Sequence, residues 1–130
     1  MKTALVVKTT GEMYEIDIEK NEYEMIRSEI DGWLQAIDLQ SQFKASMWID
    51  EEGKLKSLPH NLYVQRIFDE EFGAWRDSVV GDAVFTGLPD RAGNTTGLTQ
   101  EMVELLRKKV NAVYDFLEPR FEIIEMGEVK

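Results

Sequence analysis

Along several short stretches of the chain, apolar and polar residues alternate with the period of two that a β-strand with unlike faces requires. Runs of this kind, or apolar runs of strand length, lie at 3–8, 13–18, 33–39, 43–50, 54–58 and 79–86. The first two flank Thr9-Thr10-Gly11-Glu12 and predict an antiparallel hairpin. Gly81 and Asp82 interrupt the last run, so we expect a central strand with a bulge there.

The stretch from Phe43 to Leu58 predicts a second hairpin. Its first strand leads into the acidic turn Asp50-Glu-Glu-Gly53, where glycine supplies the left-handed residue. Residues 54–58 are then the expected return strand, which Pro59 stops because proline has no N–H for an interior ladder. His60 and Asn61 follow at this corner, and an asparagine in such a place commonly holds a turn by bonding its own backbone.

Apolar residues spaced by three and four predict helices at 22–30, in 62–75 and from 99 to about 117. The second segment also fits a shorter helix followed by an open loop, because it contains Gly73. Thr99 is placed to cap the long helix and Pro119 to end it. The tail 121–126 predicts an added strand for its own sheet or for another protomer, so a homo-oligomer is an open alternative.

These elements predict one α+β domain over 1–130, with a core at 1–118 and a tail at 119–130. We expect a mainly antiparallel sheet of five to six strands, covered on one face by the long C-terminal helix and a shorter N-terminal helix. A chain of 130 residues is long enough to bury a core of its own.

Composition excludes several classes of function. The chain carries 25 acidic and 15 basic residues, a net charge of −10, one histidine and no cysteine. Direct nucleic-acid binding is not expected, since neutralising phosphates needs clustered basic residues. Because the sequence has no cysteine, it can form no disulfide bond and can use no thiolate in catalysis. The sequence has neither a signal peptide nor an apolar run long enough for a membrane span, so we expect a cytoplasmic protein with no membrane partner.

Catalytic motifs are missing from the sequence. There is no Gly-x-Ser-x-Gly elbow to serve a triad built on His60, and no phosphate-binding glycine loop. The acidic run 50–52 lacks the spaced ligands of an EF-hand. We therefore predict no enzyme activity, no cofactor and no metal site, although an enzyme that uses carboxylates and a divalent ion stays a second alternative.

Four segments carry a family resemblance. They are Met1-Lys-Thr-Ala-Leu-Val-Val-Lys8, the stretch from Asp50 to Asn61, Val80-Gly-Asp-Ala-Val-Phe-Thr-Gly87, and Leu98-Thr99 before a helix. Over roughly 1–106 the chain resembles the domain of unknown function 3846 family of small phage and mobile-element proteins. The resemblance implies an α+β domain in an infected or element-carrying bacterial host, and it implies no activity. Asn61 matches the most characteristic polar position of the family, whereas His60 stands where a small apolar residue is expected.

Two sets of side chains are candidates for binding. Amide and guanidinium groups near predicted loops suit a small polar or nucleotide-like ligand: Asn61, Arg66, Arg91, Asn94 and Arg107. Thr95 and Thr96 could add hydrogen bonds, and Trp48 or Phe85 could stack on a base, although an aromatic on a strand is more often core. The segment 69–90 carries six acids against one arginine and offers a protein-interaction face at Asp69, Glu70, Glu71 and Trp75.

The leading hypothesis is a non-enzymatic phage-type accessory protein, acting in counter-defence, that sequesters a nucleotide-like ligand. The alternative is an acidic protein-binding inhibitor or DNA mimic, whose partner is a basic host protein such as a nucleic-acid or defence enzyme. Net acidity favours the alternative, while a local arginine pocket would favour the ligand.

Overall fold

The computed structural model describes residues 1–74 and 76–117 with their side chains, and the backbone alone of 118–129. Its strands are β1 (Thr3–Val7), β2 (Met13–Asp17), β3 (Leu34–Leu39), β4 (Ala45–Asp50) and β5 (Ala83–Gly87). Its helices are α1 (Glu22–Ile30), α2 (Leu62–Phe72) and α3 (Gln100–Val129). The predicted α+β class is confirmed, with five strands, a long C-terminal helix and a shorter helix near the N-terminus.

The five strands form a single sheet in the order β2-β1-β5-β4-β3, and every neighbouring pair is antiparallel. The predicted first hairpin is confirmed as β1–β2, and β5 is the central strand. β5 begins at Ala83 and not at Val79, because Gly81 has a positive φ of 80° that takes the chain out of the ladder. Val80 makes only an isolated bridge with His60.

The predicted return strand at 54–58 is wrong, and β3–β4 is the second hairpin. β4 has β3 on one edge and β5 on the other, so no edge is left for a strand from 54–58. These residues instead form consecutive turns around Asp50, whose buried carboxylate accepts hydrogen bonds from the Glu52 N–H at 2.8 Å and from Lys56 Nζ at 2.7 Å. The acidic residues 50–52 are therefore held in a local network of turns and do not lead into a strand.

Helices cover both faces of the sheet, which corrects the expectation that one face carries them all. Leu5, Met47 and Phe85 belong to the larger core cluster, with side chains of α2 and α3. Val6 and Val84, one position along their strands, belong to a second cluster with Ile26 and Ile30 of α1. Successive side chains of a strand point to opposite faces, so both faces of the central strands are apolar.

α3 begins after Thr99, whose Oγ1 accepts from the Met102 N–H at 3.2 Å, as the predicted cap requires. The helix is assigned through Pro119 to Val129, whereas the sequence predicted an end at that proline. The predicted strand at 121–126 is wrong, because the backbone of these residues belongs to α3. Side chains beyond Leu117 lie outside the described residues, and the homo-oligomer stays a prediction.

Candidate functional site

A row of polar side chains crosses three strands on the face of the sheet that α1 partly covers. Ser46 on β4 lies opposite Asp38 on β3 and opposite Thr86 on β5. Ser46 Oγ donates to Asp38 Oδ1 at 2.7 Å. The serine is 2% exposed and the threonine 0%, so this row penetrates an interior that is otherwise apolar.

Trp48 lies next to this polar row, two residues further along β4. Its Nε1–H donates to Thr86 Oγ1 at 2.9 Å, and the threonine hydroxyl donates in turn to the Gly87 carbonyl at 3.0 Å. The indole is half-buried, between the apolar patch under α1 and the polar row. A cavity of about 210 Å³ opens here, which we call the sheet pocket; it is lined by Ala36, Asp38, Ser46, Trp48, Thr86, Gly87, Pro89, Gly93 and Thr95.

The 88–97 loop forms one wall of the sheet pocket. The Gly87 N–H donates to the Thr96 carbonyl at 3.0 Å, and Thr96 Oγ1 donates to the Leu88 carbonyl at 2.7 Å. A Cβ at position 87 would lie 2.2 Å from Thr96 Oγ1 and 2.5 Å from the Gly97 carbonyl oxygen. Only glycine allows the loop to approach the end of β5 this closely.

Charged side chains hold the loop in place. Asp90 Oδ1 accepts from the backbone N–H groups of Asn94 and Ala92, both at 2.9 Å, and the bond from Asn94 is the main reason why the pKa of Asp90 is lowered. Lys2 Nζ donates to the Thr95 carbonyl at 3.1 Å and to Glu22 Oε2 at 2.9 Å. The hydrogen bond to Glu22 raises the pKa of Lys2, which stays a cation at neutral pH.

The pocket offers acceptors and an aromatic surface. Both buried hydroxyl protons are used inside the protein, Ser46 toward Asp38 and Thr86 toward Gly87. The exposed carboxylate of Asp38 therefore keeps acceptor capacity for the N–H or O–H groups of a ligand. Arg91 lies on the exposed loop, and it forms no ion pair with any residue that the structure describes.

The whole sheet and the pocket fall inside one family match. The family model for the domain of unknown function DUF3846 matches residues 1–111. The chain belongs to the DUF3846 family. No curated protein matches the chain, and no solved structure matches it either. The family assignment therefore confirms the resemblance that the sequence suggested and leaves the activity to be argued from the site.

Asn61, a predicted ligand-binding residue, is fully buried in this domain. Its Oδ1 accepts from the Val64 N–H at 3.3 Å and caps α2. Its Nδ2 donates to the Val7 carbonyl at 3.2 Å and to the Gly81 carbonyl at 3.0 Å. The side chain holds the corner together, as the turn-making role predicts, and all its polar atoms are engaged within the protein.

The other predicted ligand-binding residues do not converge on one site. Arg91 and Asn94 lie on the loop beside the sheet pocket, on the α1 side of the sheet. Arg107 is on α3 and donates to Glu15 Oε2 at 3.1 Å. Arg66 is on α2, in a groove of about 390 Å³ between α2 and α3 whose apolar walls include Leu62, Val113 and Leu117.

The predicted protein-interaction residues are mostly bonded inside the domain. Glu70 accepts from Lys109 Nζ at 2.7 Å, and Glu71 accepts from Ser41 Oγ at 2.7 Å. Asp69 accepts from Gln65 Nε2 at 2.9 Å. Trp75 lies outside the described residues.

His60 also has a partner within the domain, since its Nε2 lies 2.8 Å from Gln65 Oε1. It lines a cavity of about 550 Å³ together with Arg76, Asp77 and Ser78. Among the residues that the structure describes, no three carboxylate or histidine side chains are grouped to hold a metal ion. In the same part of the chain, no helix combines the length and the hydropathy of a membrane span.

Of the residues that line the sheet pocket, sequence reasoning named only Trp48 and Thr95 as candidates, and it missed the polar row. Asp38, Ser46 and Thr86 are single polar residues inside runs that were interpreted as strands. One signal was available in the sequence: a polar residue on the strand face whose other residues are apolar. Thr86, two positions after Val84, is an example. That signal becomes a site only when the strand order places β3, β4 and β5 side by side.

Proposed function

We propose that this DUF3846 protein is a non-enzymatic binding protein that holds a small polar, nucleotide-like ligand in the sheet pocket. The observation that carries the proposal is the buried polar row beside Trp48. Buried polar groups are costly, and a concave site with an aromatic surface and few convergent polar groups is the usual form of a small-molecule site.

A planar ring against Trp48 would place its N–H or O–H groups toward the Asp38 carboxylate. Stacking of a base on an aromatic side chain is worth about 1–3 kcal/mol, and it tolerates different bases. An anionic group of the same ligand would be placed toward Arg91 on the exposed loop, a cation that pairs with no described carboxylate. The volume of about 210 Å³ suits one ring system and not a large ligand as a whole.

Charge pairing supports a small ligand over an acidic docking face. The segment 69–90 has six acids in the sequence, but three of them lie beside lysines from other segments. These pairs are Lys8 with Asp82, Lys54 with Asp77 and Lys109 with Glu70. The segment is therefore less negative than its own sequence suggests, which weakens the case for imitation of a phosphate backbone.

Sequestering a signal nucleotide in phage counter-defence is the setting that we propose for this activity. The family resemblance supports it, since the sequence resembles proteins of phages and mobile elements. A binding protein of this kind needs affinity for its ligand and no chemistry at the site.

Isothermal titration calorimetry against a panel of nucleosides, mononucleotides and cyclic nucleotides tests the proposal. We expect at least one member to bind, and Asp38→Asn to weaken it about tenfold, because a hydrogen bond to a charged group becomes a neutral one. Glu71→Gln is the matched control, since Glu71 also accepts from a serine hydroxyl at 2.7 Å but lies outside the pocket.

Absence of heat for every member of the panel, with the protein folded, would end the ligand hypothesis. Equal affinity in the wild type and in Asp38→Asn would show that the ligand binds elsewhere. An effect of Glu71→Gln as large as that of Asp38→Asn would show a general response to lost charge.

A further inference from the structure

β3 is an edge strand whose outer side has no partner among the described residues. It pairs with β4 over six residues, from Leu34 opposite Asp50 to Leu39 opposite Ala45. No hydrogen bond between described residues reaches the outer backbone groups of this strand. In an antiparallel strand, the N–H and C=O groups of every second residue point away from the paired neighbour. On the outer side of β3 these groups form a row of donors and acceptors that no described residue engages.

The composition of β3 lacks the features that usually protect an edge. Its sequence Leu-Gln-Ala-Ile-Asp-Leu has no lysine, proline or glycine and a single charge at Asp38. The opposite edge strand β2 differs, since it carries Glu15 and Asp17 within five residues. Arg107 pairs with Glu15 across that edge. The two edges are thus unequal, and β3 is the one suited to pairing.

We propose that β3 pairs antiparallel with β3 of a second copy of this chain, which joins the two sheets into one of ten strands. A two-fold axis perpendicular to the sheet places the same face of both copies on the same side. Directly opposed residues must share a face, so the axis passes beside one residue of β3, which lies opposite its own copy. Centred on Ala36, it places Asp38 opposite Leu34 of the other copy; centred on Ile37, it places Asp38 opposite Ala36. Neither arrangement opposes the two aspartates.

The net charge of the chain makes the strength of this dimer depend on salt concentration. Each copy carries a net charge of −10, so two copies repel one another at long range. Salt screens this repulsion, with a Debye length of about 10 Å at 0.1 M and about 3 Å at 1 M. Dimerisation through β3 therefore strengthens as salt rises, whereas docking on a basic partner weakens.

The pairing also bears on the sheet pocket. Ala36 and Asp38 line that pocket and belong to the edge strand itself. Neighbouring strands lie about 4.8 Å apart, so the second copy would extend the floor on which a ligand rests. The dimer does not depend on the ligand that we propose, and the tests below use the chain with no ligand added.

Sedimentation velocity across a concentration series, at low and at high salt, measures the association. We expect a monomer–dimer equilibrium that shifts toward the dimer at high salt. A chain that stays monomeric at every concentration and salt overturns the proposal, and so does a dimer that dissociates as salt rises.

Cysteine crosslinking locates the interface, since the natural chain has no cysteine. Ala36→Cys, at an exposed position of β3, is expected to give a crosslinked dimer with a short bismaleimide, which reaches between the two cysteines in either register. Ala112→Cys, at an exposed position of α3, is the control for random collision and is expected to stay monomeric. Equal crosslinking of the two variants overturns the assignment to β3.

Two proline variants test the backbone pairing. The N–H groups of successive residues in β3 point in turn toward β4 and toward the free edge. Of the variants Gln35→Pro and Ala36→Pro, one therefore removes an N–H at the free edge and the other removes an N–H that bonds to β4. The variant with the higher melting temperature identifies the outward position. That variant is expected to weaken the dimer about tenfold, since two-fold symmetry removes the bond in both copies. A folded proline variant that dimerises like the wild type refutes pairing through β3.

Discussion

Replacing Asn61 with aspartate separates the two tasks of this side chain. Aspartate is as good a helix N-cap as asparagine, so the bond from the Val64 N–H to Oδ1 can persist. The amide Nδ2, however, donates to the carbonyls of Val7 and Gly81. A carboxylate has no donor for either of them and would bring a buried negative charge toward two carbonyl oxygens.

The size of the effect follows from these contacts. The side chain is 0% exposed, so water does not replace the lost donor. A buried group left without its partner costs about 1–3 kcal/mol, and two carbonyls lose theirs. We expect Asn61→Asp to lower the free energy of unfolding by about 3–5 kcal/mol, which is a large part of the about 5–15 kcal/mol of a typical domain.

Urea unfolding followed by far-UV circular dichroism measures this change. Asn21 is the matched control, because it caps α1 through a bond from the Glu24 N–H at 3.3 Å but is exposed and has no buried carbonyl to serve. Asn21→Asp is expected to change the stability by less than about 0.5 kcal/mol. Equal stability of the two aspartate variants would refute the account of Asn61 as a donor to two strands.

Two further changes test the turns around the sheet. The hydrogen bond to Asp50 raises the pKa of Lys56 above its ordinary 10.5, so this pair stabilises the fold below that pH and the contribution is lost as pH rises through the folded-state pKa. Urea unfolding at neutral and strongly alkaline pH should show a smaller alkaline loss in Lys56→Met than in the wild type; an equal loss in both contradicts it. Gly87→Ala should destabilise the domain by about 1–3 kcal/mol in thermal unfolding, because its Cβ would overlap Thr96. Gly93→Ala meets no atom within 4 Å and should cost only the strain of its positive φ, so a Gly93→Ala loss equal to that of Gly87→Ala argues against overlap.

Local patterns predicted most of the secondary structure because the determining interactions are close in sequence. Asn21 caps α1 through a residue three positions away, and the turn at 9–12 joins strands that pair directly. The return strand at 54–58 failed for a long-range reason. β5, which starts more than thirty residues after β4, occupies the edge that the return strand would need.

The same distinction explains the site. The sequence places Arg91 and Asn94 on a loop because its glycine, proline and asparagine residues are a local signal. Asp38, Ser46 and Thr86 become neighbours only through strand pairing, and the paired residues Ser46 and Thr86 are forty positions apart. Nothing in the local pattern distinguishes a buried serine that faces an aspartate from a serine on a solvated strand.

The buried hydroxyls favour the proposed binding site over an ordinary solvated surface. α1 has nine residues and spans about 14 Å at 1.5 Å per residue, so it is too short to cover the whole sheet. Polar residues on the uncovered part need no further explanation where they are exposed, as Asp38 is. Ser46 and Thr86 are different, because they are buried and their hydroxyl groups need partners inside the protein. Their hydroxyls bond to Asp38 and Trp48 and hold these two side chains at the opening of the sheet pocket, which supports the ligand site that we propose.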